Sequence, residues 1–217
     1  MHIPDGFLDA KTFVTLDVVA AGFVAAAAAR VRRRLSERAV PLMAVLAAFI
    51  FAAQMLNFPV AGGTSGHFAG GALAAILLGP WAGALVLTLV LVIQAVAFGD
   101  GGILALGANV FNLALVAPFI AYGLYRFIRR LWRAEAGRFF GASVGAWAAT
   151  VAAAAACAAE LATSGTIPFA VVLPAMVAVH GLIGVAEGLI TALALAAIRA
   201  GRPDLLELSR LTPGAGT

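Results

Sequence analysis

Charged residues are scarce in this sequence, and their scarcity excludes an ordinary water-soluble domain. Only 11% of the 217 residues are charged and 63% are hydrophobic. Soluble domains average about 25% charged and roughly 45–50% apolar residues. The mean hydropathy of +1.04 is typical of a chain that resides in a lipid bilayer. We therefore predict an integral membrane protein.

A second cysteine, nucleotide-binding motifs and basic nucleic-acid-binding patches are also lacking. The one cysteine, Cys157, can form no internal disulfide and is interpreted as a small buried residue. The P-loop pattern GxxxxGK[ST] does not occur, so ATP binding is not expected. The isoelectric point of about 10.2 reflects arginines placed between apolar runs rather than on one soluble face. Nucleic acid is therefore not an expected partner.

Long apolar runs dominate what is present. A helix needs about 20 apolar residues to cross a hydrocarbon core of roughly 30 Å, and the alanine-rich runs here do not alternate as the strands of a β-barrel would. The runs cover residues 11–30, 39–58, 67–79 (the short one), 80–98, 102–125, 139–163 and 168–198. The prediction is a single all-α membrane domain over residues 1–217, with seven transmembrane helices of which one is short.

Basic residues lie at one set of helix ends and predict the orientation of the chain. Lys11 is the one exception among the 14 lysines and arginines, because all the others follow the first, fifth or seventh run. Short cytoplasmic loops retain positive charge, so we expect the N-terminus outside and the tail, residues 199–217, in the cytoplasm. The opening residues lack the basic region of a cleavable signal peptide. The mature chain is therefore expected to begin at Met1.

The opening segment, residues 1–10, begins MHIPDGFLD and has the chemistry of a metal chelate. A free Met1 amine and the amide nitrogen of His2 would close a five-membered ring around a metal ion. The same amide and the imidazole Nδ1 of His2 would close a six-membered ring. Planar nitrogen sets of this kind suit Ni(II) and Cu(II). The alternative interpretation is that His2 is an ordinary frayed terminal residue.

A glycine-rich outer loop, residues 57–67 with the sequence NFPVAGGTSGH, is the second candidate. It precedes the short third run and is predicted to face the same side as the N-terminus. Glycines let a backbone line a cavity, and non-helical backbone at membrane depth is tolerated only in such places. His67 is then a candidate partner for His2. The alternative for His67 is a histidine at a helix N-terminus, bonded to a backbone carbonyl.

Three motifs together resemble one transporter family. MHIPDGF at the start, NxPVxxGTSGH ending at His67 and HGLIGVAEGLIT beginning at His180 look like the CbiM/NikM family. These proteins are the substrate-capture (S) components of prokaryotic energy-coupling factor (ECF) transporters for cobalt and nickel. The resemblance implies that the N-terminal segment folds into the bundle from outside. There the Met1 amine, the His2 amide and imidazole, and the His67 imidazole would hold Ni(II) or Co(II), with no organic cofactor.

The resemblance also implies partners in the cell membrane, since nothing in the chain is expected to hydrolyse ATP. They are a transmembrane coupling (T) subunit, cytoplasmic ATPase subunits and a small accessory N-type membrane subunit. The first run carries a repeat of small residues at four-residue spacing, which lets helices pack closely in lipid. The residues are Ala21, Ala25 and Ala29. We expect the coupling subunit to dock there, and the alternative is a chance repeat in an alanine-rich chain.

Polar residues within or beside the apolar runs are costly and are therefore candidates for function. The candidates for orienting the metal ligands are Asn57, Thr64, Ser65 and Gln94. The alternative for buried amides is a hydrogen bond between helices, which also applies to Gln54, Asn109 and Asn112. His180 and Glu187 lie seven residues apart on one helical face. They are interpreted as a structural polar pair or part of a release path, and His180 is not expected to be a ligand.

An intramembrane protease is the rival interpretation. GTSG with Ser65 and AVHGLIG with His180 resemble the serine and histidine motifs of rhomboid proteases, in which His180 would act as general base to Ser65. This interpretation leaves the MHIPDG opening and His67 unexplained. A self-sufficient channel or secondary permease is a third alternative. Metal capture is the interpretation that accounts for both candidate segments.

Overall fold

The computed structural model describes residues 1–33, 39–60 and 64–207, and this part of the chain is almost wholly helical. The helices are α1 (Ala10–Arg32), α2 (Ala39–Gln54), α3 (Gly71–Leu78), α4 (Pro80–Phe98), α5 (Leu106–Leu131), α6 (Glu135–Thr163) and α7 (Phe169–Gly201). A 3₁₀ turn, Pro203–Glu207, follows α7. The predicted all-α membrane fold with one short helix among seven is confirmed.

The short helix α3 lies at the centre of the bundle. Five of the described helices, α1, α4, α5, α6 and α7, are long and apolar enough to cross a membrane. By contrast, α3 has 8 residues and is about 12 Å long at 1.5 Å per residue, too short for a hydrocarbon core of roughly 30 Å. Every one of its residues is buried, as expected for a helix that is apolar all round. The other helices therefore pack around α3.

The predicted helix over residues 39–58 is wrong at its end. It stops at Gln54, and the chain then forms a hairpin in which β1 (Asn57–Val60) runs antiparallel to β2 (Thr64–His67). Pro59 explains the break, because proline offers no N–H to a helix and holds the residue before it in extended backbone. The glycine-rich loop expected from the sequence is therefore largely a β-hairpin.

Several other helix boundaries also differ from the predicted runs. The third run, 67–79, becomes helical only at Gly71, because Gly70 adopts a left-handed conformation with φ of 72°. The fifth run extends beyond its predicted end at residue 125 to Leu131, since long arginine side chains can follow an apolar helix and still reach water. Unpredicted π-helical turns occupy Gln94–Phe98 in α4 and Phe111–Val116 in α5.

The described basic residues gather where neighbouring helices begin and end. The Arg30 guanidinium lies 4.4 Å from the centre of the Trp81 ring, which joins the end of α1 to the start of α4. Arg199 lies 3.0 Å from Glu135, which joins the end of α7 to the start of α6. This grouping is what the orientation argument requires. The side of the membrane that these ends face stays a prediction.

Helices α6 and α7 approach each other through two glycines spaced four residues apart. A Cβ atom built on Gly184 would lie 2.9 Å from the Trp147 side chain, and one on Gly188 would lie 2.9 Å from the Ser143 carbonyl oxygen. The Ser143 hydroxyl donates to the Gly188 carbonyl at 3.0 Å. Small residues at this spacing allow the close helix contact that drives packing in lipid.

Substitution of Gly188 by alanine is expected to destabilise the protein. The added methyl group meets backbone that has no room to move, and such overpacking costs about 1–3 kcal/mol. Gly181→Ala is the matched control on the same helix, because nothing lies within 4 Å of its built Cβ. Thermal unfolding in detergent should show a lower midpoint for Gly188→Ala only. Equal midpoints for the two variants would contradict this account of the interface.

Candidate metal centre

The first three residues are enclosed within the helical bundle. Met1 and Ile3 are 0% exposed and His2 is 4% exposed. Helix α1 begins only after Asp9, whose carboxylate accepts the Thr12 N–H at 3.2 Å and caps the helix. The start of the chain is therefore built into the core, and the frayed alternative for His2 is wrong.

Asn109 of α5 holds the N-terminal segment in place. Its Oδ1 accepts the Ile3 N–H at 2.8 Å, and its Nδ2 donates to the Ile3 carbonyl at 3.1 Å. The same carbonyl accepts the Gly102 N–H at 2.8 Å. An asparagine amide matches a peptide group donor for acceptor, so both polar groups of Ile3 are satisfied inside the protein. Asn109 binds this segment and does not form the bond between helices that was its alternative.

Asp5 fixes the turn that follows. Its carboxylate oxygens accept the N–H groups of Ile103, Leu104 and Ala105 at 2.8–3.2 Å. These are donors just before α5, where a helix leaves N–H groups without partners of its own. Gly6 next to it has φ of 87°, which supplies the change of direction. The Asp5 carboxylate therefore acts within the fold, as a cap for α5.

His67 presents one imidazole nitrogen with a free lone pair. The residue is 1% exposed, and its Nδ1 lies 2.8 Å from the Phe68 carbonyl oxygen. A carbonyl oxygen only accepts hydrogen bonds, so Nδ1 carries the proton and Nε2 does not. Nε2 finds no hydrogen-bond partner in the described part of the chain. His67 therefore makes the backbone hydrogen bond of its alternative interpretation through Nδ1, and this bond leaves Nε2 available to a metal.

The structure brings Met1, His2 and His67 together. The two imidazole rings stack with centroids 4.3 Å apart and an angle of 22° between their planes. Burial lowers the pKa of His67 well below its usual 6.5, and the nearby Met1 amine and His2 lower it further. Burial also lowers the pKa of His2, and it lowers the pKa of the Met1 amine from 8.0 to about 5. All three groups are therefore neutral at pH 7, the form that binds metal.

Asp100 contacts the site and was not predicted. Its Oδ1 lies 3.0 Å from His2 Nδ1, the nitrogen that the predicted six-membered chelate ring requires. His2 Nε2 has no hydrogen-bond partner among the described residues. The hydrogen bond from His2 lowers the pKa of Asp100, which favours its ionised form. Chelation through Nδ1 therefore requires the His2 imidazole to turn away from Asp100.

A sequence signal for this contact existed in the glycines around Asp100. Residues 99–102 read GDGG between two apolar runs, and Gly101 has φ of 94°. A Cβ on Gly102 would lie 2.1 Å from the Asp5 carboxylate, so the N-terminal segment needs glycine there. Such density marks a place where another part of the backbone approaches closely.

The four residues predicted to orient the ligands have different outcomes. Gln94 is buried at the start of the π turn of α4, and its side-chain amide has no hydrogen-bond partner among the described residues. The backbone carbonyl of Gln94 accepts the Asp100 N–H at 3.0 Å, which links Gln94 to the site through the backbone. The backbones of Asn57, Thr64 and Ser65 lie in the hairpin. Their side chains lie outside the described part, so those roles stay predictions.

The remaining polar residues of the apolar runs divide between the loop and the helices. Asn112 donates to Glu160 at 2.7 Å, a bond between α5 and α6 as its alternative interpretation holds. Gln54 donates to the Ala69 carbonyl at 2.8 Å and so contacts the loop that follows His67. His180 Nδ1 lies 2.8 Å from the Met176 carbonyl, an ordinary bond to the preceding helical turn.

His, Cys, Asp and Glu side chains alone do not form a complete metal site around His2 and His67 in the described residues. Within residues 1–33, 39–60 and 64–207, no group of three or more His, Cys, Asp or Glu side chains is placed to hold one ion. The Met1 amine and the His2 amide are the nitrogens at hand. Neutral nitrogen donors favour the later first-row divalent metals such as cobalt, nickel and copper.

Known proteins are similar to this chain in sequence and in fold. Residues 2–205 match the family model CbiM, described as the cobalt uptake substrate-specific transmembrane region. A protein of Archaeoglobus fulgidus, provisionally named fused nickel transport protein NikMN, is 44% identical over 99% of this chain and 70% of its own length. The cobalt transport protein CbiM of Sorangium cellulosum is 36% identical over 99% of this chain and 100% of its own.

Solved structures agree with these relatives. The crystal structure of a transition metal transporter is 37% identical and has a TM-score of 0.86, covering 99% of this chain and 100% of that one. A truncated transition metal transporter gives the same TM-score at 38% identity over 92% of this chain. The chain thus belongs to the CbiM family and is a multi-pass membrane protein of transition metal transport.

Proposed function

We propose that this chain captures Ni(II) or Co(II) from outside the cell with its own N-terminus and passes the ion to an ATP-driven importer of the ECF type. The observation that carries this proposal is the enclosure of Met1, His2 and His67 together, with 4.3 Å between the two rings. The metal is the transported substrate. Three neutral nitrogen groups in a buried site are suited to strip water from such an ion.

The proposed ligands are four nitrogens in one plane. They are the Met1 amine, the His2 amide and Nδ1, and the His67 Nε2. The amide joins by losing its proton, and the His2 imidazole exchanges its hydrogen bond with Asp100 for the metal. The two rings leave their stacked arrangement so that both can point a nitrogen at one ion. A tetragonal nitrogen set of this kind suits Ni(II).

Nickel and cobalt are both proposed as substrates. The relatives include proteins named for nickel and for cobalt transport. Divalent first-row metals differ at nitrogen ligands in a fixed order, with Cu(II) binding most tightly, so selection among them depends on geometry and supply. Cu(II) is therefore a useful spectroscopic probe of the same site.

The proposed transport complex has separate subunits that bind and hydrolyse ATP. A coupling subunit would dock on α1, where Ala21, Ala25 and Ala29 are all exposed. Open space also lies beside Gly22 on the same helix, which supports close approach by a partner helix. Cytoplasmic ATPase subunits and a small accessory N-type membrane subunit complete the proposed assembly.

The protease interpretation loses its support. The family model and the named relatives are metal transport proteins, and His180 directs Nδ1 to the Met176 carbonyl. The Ser65 side chain lies outside the described part of the chain. No observation favours a serine and histidine pair over metal binding.

Loss of the first amine or of His67 is expected to abolish tight Ni(II) binding. Calorimetry on purified protein should show more than about 100-fold weaker binding for His67→Ala and for an N-terminal extension, a larger loss than the roughly 10- to 100-fold typical of residues that only orient a ligand. A C-terminal extension of equal length is the control and should keep its affinity. Unchanged affinity in the N-terminally extended protein would disprove the proposed ligand set.

Few protons should leave the protein when Ni(II) binds at pH 7. The pKa of about 5 leaves the Met1 amine unprotonated at this pH, and the lowered pKa values of His2 and His67 leave both imidazoles neutral. Binding then releases about one proton, from the His2 amide. Calorimetry in buffers of different ionisation enthalpy measures this number. About two protons would mean that the amine is charged before binding.

A bulky residue on the exposed face of α1 should block transport without blocking metal binding. Ala25→Trp removes the small surface proposed for the coupling subunit, so copurification with that subunit and ATP-dependent uptake into vesicles should both fall at least about tenfold, as expected when close helix packing is lost. Ala196→Trp places the same bulk at an exposed alanine of α7 and should have no effect. Equal uptake by the two variants would place the docking surface elsewhere.

A further inference from the structure

A buried carboxylate on α7 contacts the loop that follows His67. Glu187 is 1% exposed, and its two oxygens accept the N–H groups of Ala69 and Gly70 at 3.0 and 2.8 Å. The Thr150 hydroxyl of α6 lies 2.7 Å from the same carboxylate. The metal-binding proposal has so far given these residues no role.

One peptide group links this carboxylate to the His67 imidazole. The carbonyl of Phe68 and the N–H of Ala69 belong to the same peptide. Its carbonyl accepts a hydrogen bond from His67 Nδ1 at 2.8 Å, while its N–H donates to Glu187 at 3.0 Å. The chain of contacts therefore runs from carboxylate to peptide to imidazole, and it ends at the nitrogen opposite Nε2.

The loop after His67 is held by hydrogen bonds and close packing, so this chain of contacts can fix the direction of the His67 imidazole. Gln54 of α2 donates to the Ala69 carbonyl at 2.8 Å, so α2 and α7 hold both polar groups of Ala69. Gly70 packs so closely that an added Cβ would lie 2.8 Å from Ile50. A peptide plane fixed on both sides fixes the direction of the imidazole bonded to it.

We propose that Glu187 is a positioning residue for metal capture, acting on His67 through the Phe68–Ala69 peptide. This inference rests on the proposed function. Glu187 holds the peptide so that His67 keeps its proton on Nδ1 and aims Nε2 at the site. Metal-binding histidines are commonly oriented by a carboxylate or carbonyl on their other nitrogen, and here both act in series.

The first test compares two buried glutamates on neighbouring helices. Glu187→Gln keeps the shape of the side chain but replaces one of the two acceptor oxygens that the loop N–H groups use. Ni(II) affinity measured by calorimetry should fall about 10- to 100-fold. Glu160→Gln is the matched control, because Glu160 bonds Asn112 and not the loop, and its affinity should equal that of the unaltered protein. Equal affinities for the two variants would overturn the proposal.

The second test counts nitrogens directly with Cu(II) as the probe. Electron paramagnetic resonance of the Cu(II)-loaded protein should report four equatorial nitrogens in the unaltered chain and three in Glu187→Ala, since His67 is no longer aimed at the metal. Glu160→Ala should keep four. A Glu187→Ala protein that is less stable but keeps four nitrogens would show a merely structural role and overturn the proposal.

A milder pair of variants covers the case in which Glu187→Ala does not fold. Thr150→Val removes the hydroxyl beside the carboxylate and should weaken Ni(II) binding, whereas Thr150→Ser keeps the hydroxyl and should restore it. No difference between these two would count against the proposal. If the unaltered chain itself lacked a four-nitrogen spectrum, the proposed function would fail, and this inference with it.

Discussion

Peptide groups enclosed in a membrane bundle must find hydrogen-bond partners, and the whole site depends on how two non-helical segments meet this demand. Lipid tails form no hydrogen bonds and water is excluded from the bilayer core, so an unpaired N–H or carbonyl there costs several kcal/mol. Asn109 pairs with both polar groups of Ile3. Glu187 and Gln54 pair with those of Ala69. These three side chains allow both segments to lie inside the protein. The N-terminal segment carries the His2 imidazole, and the loop after His67 holds the His67 imidazole beside it.

A site made in this way differs from the usual cluster of acidic side chains. Its ligands are proposed to come largely from backbone at the start of the chain. The last proposed ligand is His67, which lies shortly before the short helix α3. Burial keeps the pKa values of the amine and imidazoles low, so these groups carry little positive charge to repel an incoming cation. Asp100 adds a negative charge at its edge, 3.0 Å from His2.

Hydropathy and local motifs could predict the helices and the candidate ligands. The seven apolar runs correspond to seven helices in the described part of the chain. The opening MHIPDG and the loop around His67 were recognisable because each is short and contiguous. The hairpin was missed because apolar Phe58 and Val60 extend the second run, although Pro59 forbids a helix there.

The contacts that assemble the site could not be predicted, because they join residues far apart in sequence. His2 and Asp100, like Ile3 and Asn109, are about 100 residues apart. The glycines around Asp100 indicate a close approach, but no local pattern identifies the partner. Glu187 stood out as a costly charge in an apolar run. Its partners are backbone N–H groups, which carry no sequence signature, so its connection to His67 emerges only from the fold.

X-ray absorption at the nickel edge of the loaded, untagged protein tests the central claim most directly. Buried backbone and imidazole nitrogens around one ion predict a planar site of four nitrogens. An octahedral, oxygen-rich spectrum would contradict the account, because it would place the ion away from the buried nitrogens of Met1, His2 and His67.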